Sequence, residues 1–134
     1  MKINITQAKG RVPVAVIAPE GNLDGSNYQE LIAAGKKLSD SGATAMVLDL
    51  SGVGFVSSAG LLAIHSIALL LTGQQPPDPE DGWGALRTMT KGPGAAPSLK
   101  LAGPGPRIIQ ILQKSGFDEY FETYPDVGGA VASF

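Results

Sequence analysis

Alternation and helical spacing divide the chain into short segments around one strongly apolar stretch, residues 46–71. Met46 to Leu50 reads as a strand. With Ala45 it forms a nearly continuous apolar run, the pattern of a central strand covered on both faces. Ser51-Gly52-Val53-Gly54 then makes a tight loop, and Phe55 and Val56 follow. Ser57-Ser58-Ala59-Gly60 opens a helix that runs to about Leu71. This helix is apolar nearly all round, with Ser58, His65 and Thr72 spaced seven apart as a polar line. Leu61, Leu62 and Leu69 flank that line. Two arrangements suit the pattern: a helix buried on all sides, or one that keeps an exposed apolar strip for a partner.

The flanking segments are more ordinary. Residues 2–7 alternate as a half-exposed strand, and Ala8-Lys9-Gly10 turns the chain into a second strand over residues 12–18. Val14, Val16 and Ala18 share one face of that strand, and Pro13 places its start at an edge or bulge. Residues 19–25 read as a loop. Ser26 with Gln29 forms a capping-box pattern that starts a helix, with Tyr28, Leu31, Ile32, Gly35 and Leu38 facing inward. Gly42 ends it. After the apolar helix, residues 72–97 hold five prolines and five glycines with the acidic patch Asp78, Glu80, Asp81, and read as a mobile insertion at about 73–97. Trp83, Leu86 and Met89 in it are spaced for one helical turn of contact. A strand follows at 98–102. Pro106 opens a helix with Ile108, Ile109 and Leu112 on its apolar face, and Gly116 closes it. Phe117, Tyr120 and Phe121 pack a short link, and Asp126 caps a last helix carrying Val127, Ala130, Val131 and Phe134. The predicted order, ββαβα–insertion–βαα, implies a single α/β domain over 1–134 with at least partly parallel strands.

Composition changes the picture mainly by exclusion. The chain has 134 residues, enough for one domain with a real core, and 43% of them are hydrophobic. Ten basic against twelve acidic residues leave a net charge of −2, with no Lys or Arg run to bind nucleic acid. There is no cysteine and one histidine, so thiolate and His-rich metal sites are excluded. The N-terminus lacks a signal-peptide core, and no apolar stretch is long enough to span a bilayer, so the expected location is the cytoplasm.

Catalytic patterns fail in turn. The serine segment Val56-Ser57-Ser58-Ala59-Gly60 lacks the first glycine of a nucleophile elbow. His65 lies two turns along the same helix, out of reach of Ser58 as a base. There is no phosphate-binding loop, and Pro104 removes a donor that a phosphate cradle at Gly103–Gly105 would need. The carboxylates at 78, 80 and 81 lack a rigid frame. Asp49, ending the central strand, suits either bonding of loop N–H groups or shaping of the serine site. The two hydroxyls at a helix start suit capping. The free N–H groups and the dipole there also suit a phosphate on Ser57 or Ser58.

Three segments in order resemble the STAS domain family, the anti-sigma-factor antagonists. Val47-Leu48-Asp49-Leu50-Ser51-Gly52-Val53 with Phe55-Val56-Ser57-Ser58-Ala59-Gly60-Leu61 resembles the family signature. Gly21-Asn22-Leu23-Asp24 is similar to a second feature, and residues 99–117 to the family's last third. The resemblance implies a four- to five-stranded mixed sheet with helices packed against it. It implies no catalysis and no cofactor or metal. It implies reversible binding of an anti-sigma serine kinase, which phosphorylates the domain and so releases it, with a serine phosphatase to reset the switch. The acceptor falls on Ser58, with Ser57 as the alternative. Asn22, Asp24, Ser57, Ser58, Leu61 and Leu62 fall at the partner-binding face. The family often has Asp-Ser-Ser-Gly here, and this chain has Ser57 and Ala59 in place of the aspartate and second serine. That departure leaves room for a constitutive, unphosphorylated adaptor of a transporter or signalling complex. The expected assembly is a monomer or weak homodimer without direct membrane contact. A nucleotide- or anion-binding role has little support in these residues.

Overall fold

β1 (Lys2–Lys9) and β2 (Pro13–Leu23) form an antiparallel hairpin in register from Lys2↔Glu20 to Lys9↔Pro13. Pro13 sits at the first residue of its strand, where a missing N–H costs least. The computed structural model describes residues 2–71 and 98–134. The expected insertion at 73–97, with Asp78, Glu80, Asp81, Trp83, Leu86 and Met89, lies outside the described residues.

β2 runs five residues beyond the strand expected from its sequence. Pro19-Glu20-Gly21-Asn22 has the composition of a turn, yet Pro19 and Glu20 pair with Ile3 and Lys2. At Gly21 (φ 106°) the strand changes partner, pairing in parallel through Gly21↔Val53 and Leu23↔Val56 with an irregularity between them. That positive φ is readily adopted only by glycine. The new partner is β4 (Val53–Val56), a strand where the sequence suggests a loop. Four residues interrupted by Gly54 are too few to show a period.

α1 (Tyr28–Asp40) begins two residues later than the Ser26–Gln29 pattern suggests. The capping box does not form, because the Ser26 hydroxyl donates to Asp24 instead (2.6 Å). Leu31, Gly35 and Leu38 are buried as expected, and Lys36 pairs with Asp40 in solvent. β3 (Met46–Asp49) is central, parallel to β2 on one side and to β5 (Leu99–Ala102) on the other. α2 (Ser58–Leu71) is followed, beyond the undescribed residues, by β5 and α3 (Pro106–Ser115). α3 starts at Pro106 and ends at Gly116 in the left-handed region (φ 80°). Ile108 and Leu112 are buried, but Ile109 turns outward, narrowing the predicted apolar face. α4 (Phe117–Tyr120), β6 (Thr123–Tyr124) and α5 (Val127–Ala132) complete the chain. The two-residue β6 carries no sequence signal of its own.

The sheet order is β1-β2-β3-β5-β6, with β4 on β2 outside that path. Among the described residues β1 pairs antiparallel and the other pairings are parallel, so the sheet is mixed as expected, with five strands on one path and β4 beside it. Strand alternation sorts the core onto two faces. Ala15, Ile17, Met46, Leu48, Leu99 and Leu101 meet apolar residues of α1 to α4. Val14, Val16, Val47 and Ala102 meet Ala130 and Val131 of α5. Asp126 caps α5 by accepting the Gly129 N–H at 2.7 Å, as its position in the sequence suggests.

Candidate functional site

β4 delivers the chain to the start of α2, and the end of β2 holds it there. The Ser57 N–H donates to the Leu23 carbonyl at 2.9 Å. The Ser57 carbonyl accepts from the Leu61 N–H at 2.9 Å, the first bond of the helix. Its hydroxyl accepts from the Gly60 N–H at 3.3 Å. Ser57 is therefore the N-cap, with its side chain committed to an otherwise unpartnered helix N–H. Gly60 is where helix and strand touch. A Cβ there would lie 2.7 Å from the Leu23 carbonyl oxygen and 2.8 Å from Val56 Cγ1.

Ser58, the first residue of α2, is exposed, and its hydroxyl makes no hydrogen bond among the described residues. The two serines thus differ: Ser57 is half-buried and engaged, Ser58 is outward and free. No acidic residue occupies the first turn of α2. The dipole at this end of the helix is uncompensated from within the helix and favours an added anion.

The loop from Asn22 to Asn27 borders the serines through Leu23. Asn27 donates to the Asn22 carbonyl at 2.6 Å and accepts from the Asp24 N–H at 3.0 Å. The Asp24 carboxylate accepts both the hydroxyl and the N–H of Ser26. These bonds hold its carboxyl below the ordinary carboxylate range, the hydroxyl contributing most. Across the rim, a Cβ at Gly54 would lie 3.3 Å from the Asn22 side-chain oxygen. The structure therefore brings Asn22, Asp24, Ser57 and Ser58 to one rim, at the end of β2 and β4. Phe55 adds an apolar side chain 40% exposed on β4. The sequence pattern marked it only as part of a motif, because a lone aromatic in a short segment has no visible face.

Leu61 and Leu62 do not share that rim. They are 9% and 3% exposed, and α2 is buried continuously from Gly60 to Ala68. Of the two arrangements open to this helix, it takes the buried one. That burial does not favour the partner-facing strip expected from these leucines: Leu61 packs within the core cluster, and Leu62 is covered as well. The polar line fails, since His65 is buried at 7% exposure. Asp49 bonds the loop, accepting the Ser51 N–H at 3.0 Å. Among the described residues no group of His, Asp or Glu side chains is arranged to hold a metal ion, and no helix is long and apolar enough to cross a membrane.

Solved structures share this arrangement. A structure from Thermotoga maritima, described as a candidate anti-sigma factor antagonist, aligns with a TM-score of 0.72 at 16% identity, over 98% of this chain and 92% of that one. An anti-sigma factor antagonist from Mycobacterium paratuberculosis gives 0.65 at 20% identity, over 98% and 93%. The anti-sigma factor antagonist SpoIIAA, in its unphosphorylated form, gives 0.61 at 17% identity, over 91% and 87%. No protein-family model matches the sequence, and no curated protein does. The chain has the STAS fold of the anti-sigma factor antagonists, as its sequence resemblance implies.

Proposed function

We propose that this domain is a regulatory binding module of the anti-sigma antagonist type, not an enzyme, acting in the cytoplasm. Its rim of Asn22, Asp24, Ser57 and Ser58 binds an anti-sigma serine kinase. Phosphorylation of Ser58 releases the kinase, and a phosphatase restores binding. The observation that carries this reading is the asymmetry of the serines. Ser57 is spent on the cap, whereas Ser58 stands exposed and unbonded at the first turn of α2. A phosphate there adds close to two negative charges in the middle of the rim, enough to exclude a partner fitted to the neutral hydroxyl.

The test is kinase capture from lysate of the source cells by Ser58→Ala and Ser58→Glu variants. The alanine variant retains the kinase, and the glutamate variant loses at least roughly tenfold in affinity, as an uncompensated charge in an interface does. Equal capture by both variants refutes the switch.

One observation favours a second reading, a constitutive adaptor. The first turn of α2 has no carboxylate, because Ser57 stands where the family often has aspartate. A kinase that reads that carboxylate would not act here. The adaptor reading predicts a stable complex with a transporter or scaffold protein and no phosphate on Ser58.

A further inference from the structure

The proposed function makes no use of His65, which lies two turns along α2 from Ser58. It is the chain's single histidine. Its ring is buried, and Nδ1 has no hydrogen-bond partner among the described residues. Tyr120 on α4 meets it in a T-shaped arrangement, with ring centroids 6.4 Å apart and planes at 72°. Burial alone holds the imidazole below its usual pKa.

No charged group among the described residues faces the ring to offset a proton. On α1, Glu30, Lys36, Lys37 and Asp40 are exposed, and Tyr28 accepts from Gln29. On β2, Glu20 is exposed near Lys2, and β4 has no titratable residue. Lys100 of β5 points to the opposite face of the sheet, where it bonds Ser133 and Glu122. Arg107 and Lys114 on α3, and Asp118 and Glu119 on α4, are exposed. Tyr120 is the one titratable side chain shown against the imidazole.

We propose that His65 makes the seam between α2 and α4 acid-sensitive. A protonated imidazole donates from both nitrogens, and its Nδ1–H would find no acceptor and no counter-charge among the described residues of the seam. Parting α2 from Tyr120 lets water solvate the ring. The native state resists protonation while the unfolded chain accepts it at the ordinary histidine pKa. Stability is therefore full above that value and falls as the pH drops through it toward the lowered native one. The device lies in the helix that presents Ser58, so acid would loosen the frame of the rim without touching the rim itself.

The experiment follows the thermal unfolding of the full chain and of His65→Phe and His65→Gln at about pH 7 and about pH 5. The imidazole resonance of the wild type is titrated alongside by NMR. The wild type should lose roughly 4 °C or more of unfolding temperature on acidification, and both variants should lose most of that dependence. Hydrogen exchange, corrected for intrinsic rates, should show the acid-induced opening in α2 and α4 first. An imidazole that titrates at or above the usual value overturns the proposal. So does an acid response that persists unchanged in the variants, or exchange that opens elsewhere. If His65→Phe does not fold, His65→Gln and the wild-type titration still decide.

Discussion

Two adjacent serines with the same side chain have different surroundings because the backbone presents them differently. Ser57 has its N–H on Leu23 and its hydroxyl on the Gly60 N–H, so its oxygen belongs to the helix end. Ser58, one residue on, points to solvent. The residues therefore separate in their response to truncation. Ser57→Ala should cost about 1 kcal/mol, the usual loss of a capping hydroxyl. Ser58→Ala should stay within about 0.5 kcal/mol, as an exposed side chain with no partner does. Urea unfolding of the two variants measures both. A larger loss at Ser58 would mean that its hydroxyl supports the fold.

Elements show where pattern reading succeeds and where it stops. α3 was legible because its ends carry chemical punctuation: Pro106 at the first position and Gly116 in the left-handed region. α5 was legible through Asp126, whose carboxylate occupies the position a cap demands. β3 showed itself as an apolar run because both faces are covered. β4 and β6 were invisible because four and two residues cannot display a period. The extension of β2 was hidden by turn-forming residues that pair all the same, Gly21 being used to change partner. At the rim, the serines and the Asn22–Asp24 loop could be placed from the motif. The burial of Leu61, Leu62 and His65 could not, since a helix apolar all round leaves its inner face unmarked until its neighbours are known. Gly60 tests the joint between β2 and α2. Gly60→Ala places a methyl 2.7 Å from a backbone carbonyl oxygen that cannot rotate away. Helix propensity favours the change, yet it should destabilise by about 1–3 kcal/mol, measured by denaturant unfolding. A neutral or stabilising result would show that α2 is not wedged against Leu23 as described.

At the scale of the whole molecule, the described helices form two unequal layers on one sheet. Helices α1 to α4 cover one face, and α5 with the C-terminal residues covers the other. Lys100 belongs to the thin side. Its Nζ bonds the Ser133 hydroxyl at 2.8 Å and Glu122 at 3.1 Å, and lies 4.5 Å from the centre of the Phe134 ring. The end of the chain is thereby clasped to β5, and Asp126→Ala, which uncaps α5, should cost about 1 kcal/mol in the same unfolding assay. α2 belongs to the thick side, so the rim at Ser58 stands on the most buried of the described helices. That placement suits a switch that changes charge at a surface while its support stays fixed.

The most direct test is phosphosite mass spectrometry on the protein taken from its own cells, grown with and without stress. Phosphate is expected on Ser58, at an occupancy that changes with conditions, with Ser57 unmodified. Phosphate on Ser57, or none on either serine under any condition, would contradict the proposed switch at Ser58.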